Sequence, residues 1–263
     1  MKRLIYSIWD DLVEEHRSAD EFKVSQFEKH IDTLKAKHKE YADLCEADYQ
    51  VLNSGTGLYQ DIQFFKLQKL CDFAEEYDEI LYLDMDVIPN TKQIIFDSFD
   101  LNDIGMHFIE APWTPRSRSL HLIFDDDSFE FSYMSSFIKT IVKKSMLLLD
   151  DITGHDKIAN TGVICANSEA IKKLDLEEKM SIADEAYEEA LEDNFHPQKI
   201  LDAWRKNNEV YLSYIIERFD LDYNEIGQHW NYILDNTVTK YTPTPHFIHQ
   251  VNKEFETTLD ALA

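Results

Sequence analysis

The amino-acid sequence predicts an α/β fold with a mostly parallel central sheet flanked by helices. Three observations carry this. Short apolar runs recur at residues 4–9, 47–52 and 79–89, amphipathic helical stretches alternate with them, and turn-forming or acidic residues separate the two. Strand, helix, strand, helix, strand is the order in which a crossover helix returns the chain to add the next parallel strand. The 263 residues, 44% hydrophobic and 13% aromatic, are enough to close one large core. With six glycines, six prolines and no low-complexity stretch, no linker is visible, so residues 1–263 read as one domain.

Leu4-Ile-Tyr-Ser-Ile-Trp9 reads as a buried first strand with Asp10 and Asp11 at its end. The spacing of Phe27, Ile31, Leu34 and Tyr41 predicts a helix whose outer face is rich in Lys, His and Glu. Residues 47–52 form the second strand, and Asn53-Ser-Gly-Thr-Gly57 a turn. A helix over 58–77 follows, with Ile62, Phe65, Leu70, Phe73 and Tyr77 inward. The third strand is Glu79-Ile-Leu-Tyr-Leu-Asp-Met-Asp-Val-Ile-Pro89, and a short segment leads to a fourth at 103–109. Residues 110–118, with two prolines, a tryptophan and two arginines, read as an irregular loop, either acceptor-side or a plain connection. Residues 133–149 favour helix, and 158–166 a strand broken at Gly162. An acidic amphipathic helix over 175–193 turns Ile182, Ala186, Tyr187, Ala190 and Leu191 inward and its charges to solvent. Residues 208–216 are helix or strand, and 245–249 a short strand ending in histidine.

The third strand carries the chemistry. Side chains alternate along an extended chain, so Asp84 and Asp86 leave on one face. Two buried like charges need a positive partner, and a hard divalent cation suits carboxylate oxygens while keeping positions open for water and phosphate. Pro89 lacks an N–H and ends the ladder, which puts the pair near the carboxyl end of the strand, where open α/β sheets hold ligands. The plain alternative is a solvated strand end that carries acid.

Composition excludes some classes. With 51 acidic against 26 basic residues the formal charge is −25, which argues against nucleic-acid and anionic-membrane binding, both of which rely on basic patches. An anionic substrate then needs a local cation and a few placed Lys or Arg. Cys45, Cys71 and Cys165 show no metal-ligand spacing and fit a reducing compartment. No apolar run is long enough for a signal peptide or for the roughly 18 residues of a membrane span. The expectation is a cytoplasmic protein without a transmembrane segment.

Asp84-Met-Asp86 after an apolar strand, Asn160-Thr-Gly-Val163, Asn208-Glu209 and Phe247-Ile-His249 follow the order found in GT-A nucleotide-sugar glycosyltransferases. Over residues 3–253 the chain most resembles the glycogenin-like and lipopolysaccharide galactosyltransferase-like retaining enzymes. The resemblance implies a single GT-A (Rossmann-like) domain, with a nucleotide-binding half at 1–110 and an acceptor-side half at 111–263. It implies that Ser7, Ile8, Trp9 and Asp10 hold base and ribose, and that Asp84, Asp86 and His249 bind Mn²⁺ (or Mg²⁺). Lys66 or Lys69 corresponds to the family's basic residue on the helix before the paired aspartates, and Lys253 to its diphosphate lysine. Asn160, Thr161 and Gly162 line the donor sugar, and Glu209 or Asn208 faces the anomeric carbon or the acceptor hydroxyl. The partners implied are a nucleotide-sugar donor, a UDP-sugar, and an acceptor of unknown identity.

The chain departs from the family pattern at Asn252, where the family has Gly, and no Lys-Pro-Trp follows; His246 competes with His249 as a ligand. Each residue also has a plain structural use: a core histidine, exposed helix lysines, an N-cap and first-turn acid at Asn208 and Glu209. Retention is what the resemblance implies; a general-base role for Glu209 would mean inversion. Two other readings stand beside this one. Asp84 and Asp86 also resemble the nucleophile and acid/base of haloacid dehalogenase-type phosphatases, with Asp125-Asp-Asp127 as the later acidic motif, although Val87-Ile88 replaces their Gly-Thr. The other is a nucleotide-sugar-binding protein without turnover.

Overall fold

The computed structural model describes residues 1–10, 21–56, 59–110, 136–192, 198–204, 207–234 and 244–262. Asp11, the end of the turn at 57, residues 111–118, the acidic run at 125–127, residues 133–135 and residue 193 lie outside the described residues. The chain forms two compact units, each assembled from separate stretches. The first comprises Met1–His107, Thr161–Lys173 and Tyr223–Ala263, and the second Phe108–Asn160 and Leu174–Asp222.

The main sheet has six strands: β1 (Arg3–Ile8), β2 (Asp48–Leu52), β3 (Glu79–Leu83), β5 (Ile104–Glu110), β6 (Lys157–Asn167) and β7 (Tyr223–Glu225), in the order β2-β1-β3-β6-β5-β7. β1 runs parallel to both β2 and β3, and β5 parallel to β7; β6 is antiparallel to β3, with Leu83 opposite Val163. The central strands β1 and β3 are buried almost throughout, which is why they read as near-continuous apolar runs. β6 is not broken at Gly162; it is an unbroken eleven-residue strand. The crossovers behind the parallel pairs are α1 (Glu21–Leu44) and α2 (Tyr59–Phe73).

α1 buries Leu34, His38, Tyr41 and Ala42, so His38 belongs to the inner face and not to the charged outer one. α2 likewise turns Lys66, Leu67 and Leu70 inward. A second sheet, β4 (Val87–Pro89), β9 (Phe247–His249) and β8 (Tyr232–Ile233), joins the chain after β3 to the C-terminal region. β4 and β9 are antiparallel with Val87 opposite His249, and β8 is parallel to β9 with Ile233 beside His249. A buried cluster of Leu34, Met85, Ile88, Ile248 and Phe255 lies under this sheet, with Trp9 and Phe27 packed against it.

In the second unit, α3 (Ser136–Leu149), α5 (Leu176–Glu192), α6 (Gln198–Trp204) and α7 (Asn208–Arg218) pack with the start of β6; α4 (Ser168–Leu174) and α8 (Phe255–Ala261) belong to the first unit. Residues 208–216 are therefore helical. α5 buries Ala183, Ala186, Tyr187 and Ala190 and exposes its acids, the solvated face that its pattern predicts. Ser213 ties α7 to β6: its hydroxyl accepts the Ala159 N–H at 2.9 Å and donates to the Glu209 carbonyl at 2.6 Å. Among the described residues no helix is long and apolar enough to cross a membrane.

Candidate metal and donor site

β3 stops at Leu83, so Asp84 and Asp86 do not share a face through strand alternation. They lie in the tight turn between β3 and β4, closed by the Val87 N–H donating to the Asp84 carbonyl at 2.9 Å. The Asp84 N–H donates to the Gly162 carbonyl at 2.8 Å, which anchors the turn to β6. Met85 goes into the apolar cluster, a burial contributing about 2 kcal/mol, and holds the two aspartates on either side of it.

Asp84 is the more open of the pair. Its Oδ1 accepts from Lys66 Nζ at 3.2 Å and from the Tyr82 hydroxyl. Lys66 Nζ also donates to the Thr161 carbonyl at 3.1 Å and lies over the Tyr82 ring. Lys66 is only 2% exposed, so it is no ordinary surface lysine, whereas Lys69 pairs with Asp72. Of the two lysines the sequence offered, Lys66 is the one at the aspartates.

Asp86 is buried. His249 Nε2 lies 3.4 Å from its Oδ2, the Lys253 ammonium is bonded to the same oxygen, and the Gln250 N–H donates to its carbonyl at 2.8 Å. Burial pushes the Asp86 carboxyl up, but the charge of Lys253 and then the His249 imidazole outweigh it, and the group is held well below the usual carboxylate range. Lys253 adopts a left-handed backbone conformation, with φ of 63°, uncommon for a residue with a side chain. The other side of His249 is also engaged, with Nδ1 3.0 Å from Asn231 Oδ1.

Asp84, Asp86 and His249 each offer a ligand atom, and these atoms lie within 4.8 Å of one another. Two carboxylates and an imidazole form a donor set that suits a divalent cation, and the Lys253 ammonium on Asp86 marks the place where positive charge is already accommodated. His246 is elsewhere, packed on Trp230 at 4.5 Å between ring centroids and beside His229.

At the end of β1, Ser7 is fully buried and its hydroxyl is bonded to His38 Nδ1 at 2.8 Å; Ile8 is buried too. Both side chains are turned into the core, so a nucleotide at this strand end would meet their backbone. Trp9 keeps some exposure, its ring tilted against that of Phe27 at 5.0 Å, and Asp10 accepts the N–H groups of Ser54 at 2.9 Å and Gly55 at 3.4 Å. Gly55, at φ of 79°, supplies the left-handed turn that aims these amides. His38 Nε2 lies 2.5 Å from the Val87 carbonyl, so this buried histidine braces the residue that follows Asp86. Burial lowers its pKa to about 4, against the pull of the Val87 carbonyl.

Glu209 and Asn160 come together in the second unit. Asn160 Nδ2 donates to Glu209 Oε1 at 3.0 Å, and the Lys139 ammonium pairs with Glu209 Oε2. The N-cap of α7 is Asn207, whose Oδ1 accepts the Glu209 N–H at 3.0 Å; Asn208, fully buried, is not the cap. Thr161 and Gly162 use their carbonyls on Lys66 and Asp84, as above. Sequence reasoning missed Lys139, Tyr82 and Asn231. For Lys139 a signal existed: Lys139 and Lys143 stand four apart on one face of a largely apolar helix, and the structure buries both.

No family model matches the chain, and no curated protein sequence matches it. Solved structures do. A glycosyltransferase involved in the glycosylation of the major capsid of PBCV-1 is 16% identical, aligned over 100% of this chain and 98% of its own, with a TM-score of 0.50. The galactosyltransferase LgtC, solved with donor and acceptor sugar analogues, is 11% identical over 98% of this chain and 94% of its own, with a TM-score of 0.45. The chain thus has a glycosyltransferase fold of the GT-A type, the fold that the ordered motifs of its sequence imply.

Proposed function

We propose that this protein is a Mn²⁺-dependent glycosyltransferase that moves a sugar from a nucleoside diphosphate sugar, a UDP-sugar, to an acceptor hydroxyl, with retention at the anomeric carbon. The observation that carries this reading is the convergence of Asp84, Asp86 and His249, flanked by Lys66 and Lys253, in a chain with a glycosyltransferase fold. Asp84, Asp86 and His249 would hold the cation, which when bound supplies positive charge where the diphosphate leaves. Lys66 fixes the orientation of Asp84, and Lys253 gives an ammonium to a diphosphate oxygen once it lets go of Asp86. Trp9 and Asp10 contact the base and ribose, and Thr161 and Gly162 form the strand segment along the donor sugar.

Glu209 supports retention. A carboxylate paired to buried Lys139 and held by Asn160 is suited to stay ionised beside an oxocarbenium-like sugar. Taking a proton as general base would leave the Lys139 charge buried without its partner, an unfavourable step. The acceptor belongs to a glycan, a lipid or a protein. Three free cysteines, two of them buried, support a cytoplasmic setting.

The test is a panel of nucleotide sugars incubated with Mn²⁺ and read for released nucleotide, since slow donor hydrolysis names the donor without an acceptor. If no nucleotide sugar is turned over and no nucleoside diphosphate raises the melting temperature with Mn²⁺ present, the reading is wrong. Stabilisation without turnover would mark a binding protein. The phosphatase reading makes Asp84 a nucleophile, yet its Oδ1 is engaged by Lys66 and Tyr82. Mg²⁺-dependent hydrolysis of a generic phosphomonoester, lost in Asp84→Asn, would favour it.

A further inference from the structure

Asn231 is completely buried in the first unit, immediately before β8. Its neighbours hold it there. Trp230 belongs to the main apolar cluster, and Tyr232 and Ile233 are in register with Ile248 and His249. The Leu234 N–H closes the pairing on the His249 carbonyl at 2.9 Å. An amide oxygen can only accept a hydrogen bond, so the 3.0 Å contact between Asn231 Oδ1 and His249 Nδ1 requires the imidazole proton on Nδ1. In the neutral ring Nε2 is then a bare lone pair. It faces Asp86 Oδ2, another acceptor, at 3.4 Å. Two acceptors turned toward each other in a buried place are unfavourable unless a cation answers both, and the chain itself puts the Lys253 ammonium on that oxygen.

We infer that Asn231 is a positioning residue: by accepting from His249 Nδ1–H it fixes the tautomer and ring orientation that make Nε2 a metal ligand beside Asp86. The inference rests on the metal site of the proposed function. The reverse arrangement, an amide N–H donating to Nδ1, would put the proton on Nε2 and make His249 a hydrogen-bond donor to Asp86. Outer partners of this kind set histidine basicity and orientation in metal sites, and their loss lowers metal affinity by about 10- to 100-fold.

Two measurements test this. Long-range ¹H–¹⁵N spectra of histidine-labelled, metal-free protein, with His249 assigned by its loss in His249→Gln, read the tautomer directly; Nδ1–H is expected. Mn²⁺ titration followed by electron paramagnetic resonance should give a Kd raised by about 10- to 100-fold in Asn231→Leu. In Asn231→Asp, which still accepts from Nδ1–H, Mn²⁺ affinity should be retained or tighter. An Nε2–H tautomer in the unmodified protein, or an Asn231→Leu variant that binds Mn²⁺ as the unmodified protein does, overturns the inference. If Asn231→Leu does not fold, the tautomer and Asn231→Asp decide. No nucleotide sugar enters either measurement, so a failure of sugar transfer leaves this test standing, whereas an absence of any Mn²⁺ binding overturns the inference as well.

Discussion

Lys253→Met has two opposite consequences that separate the roles of this lysine. Its ammonium is bonded to Asp86 Oδ2, with side-chain exposures of 16% and 8% for the two partners. Removing one member of a fully buried pair costs about 3–5 kcal/mol, because the other charge is left without compensation. Here His249 remains beside Asp86 and the pair is not fully enclosed, so a loss of about 2–3 kcal/mol is expected in the metal-free protein. For a chain of this size that corresponds to a fall in Tm of roughly 5–10 °C. The same free energy reappears as metal affinity, since the cation no longer has to displace the ammonium. Mn²⁺ measured without nucleotide should bind about 30- to 150-fold more tightly than to the unmodified protein. At saturating Mn²⁺ the effect on nucleoside diphosphate is reversed, with affinity weakened about tenfold or more by the loss of a charge-assisted hydrogen bond. Mn²⁺ titration by electron paramagnetic resonance and nucleotide titration by calorimetry read the two effects separately. If Lys253→Met binds Mn²⁺ alone no more tightly than the unmodified protein, the ammonium is not holding the cation's place, and the reasoning fails.

Three further outcomes follow from the same contacts. Asp86→Asn keeps the shape of the turn but removes the charge that Lys253 faces; Mn²⁺ binding should be lost, together with the Mn²⁺-dependent rise in Tm, and a normal thermal shift would refute a ligand role. His38 titrates near 4 in the fold against 6.5 when unfolded, so the unfolded chain binds the extra proton between those values. Stability from this group is complete above pH 6.5 and declines as pH falls toward 4, a loss of roughly 3 kcal/mol, so unfolding curves at pH 7 and 4.5 should diverge more in the unmodified protein than in His38→Gln. Lys139→Met should leave Glu209 without its cation and move the pH profile of sugar transfer to higher pH, with Lys139→Arg restoring it; a lowered rate at an unchanged profile would reduce Lys139 to a structural role.

Most of the elements that sequence reasoning identified are long enough to show a period; the three-residue β9 is legible instead from its short apolar run ending in His249. β1 and β3 are buried on both faces and appear as apolar runs, and α1 and α5 carry three or more turns of amphipathic spacing. β8, with two residues, and β7, with three, have no period to detect and exist because a neighbouring strand is present. The aspartate pair was visible, but its geometry was not: alternation and a tight turn both bring residues 84 and 86 together, and the sequence does not say which. The choice between Lys66 and Lys69 depended on which lysine faces the sheet, a matter of helix phase that a surface-like composition hides. The outer face of α1 reads as rich in Lys, His and Glu, yet one of its histidines, His38, lies in the core, where Ser7 and the Val87 carbonyl satisfy its two nitrogens.

The charge at this corner bears on how so acidic a chain would hold the anionic donor proposed above. Asp84 and Asp86 carry two negative charges, and Lys66 and Lys253 two positive ones, so the four groups balance without any ion. A corner that is neutral, in a protein of formal charge −25, has nothing to offer a diphosphate against the field of the whole molecule. Under the proposed function, a divalent cation held by Asp84, Asp86 and His249 would tip the corner positive and free Lys253 for the donor's phosphates. Donor and cation would then favour each other's binding, and each should tighten the other by the same factor. A factor near one, measured in either direction, would mean that the diphosphate binds away from this corner.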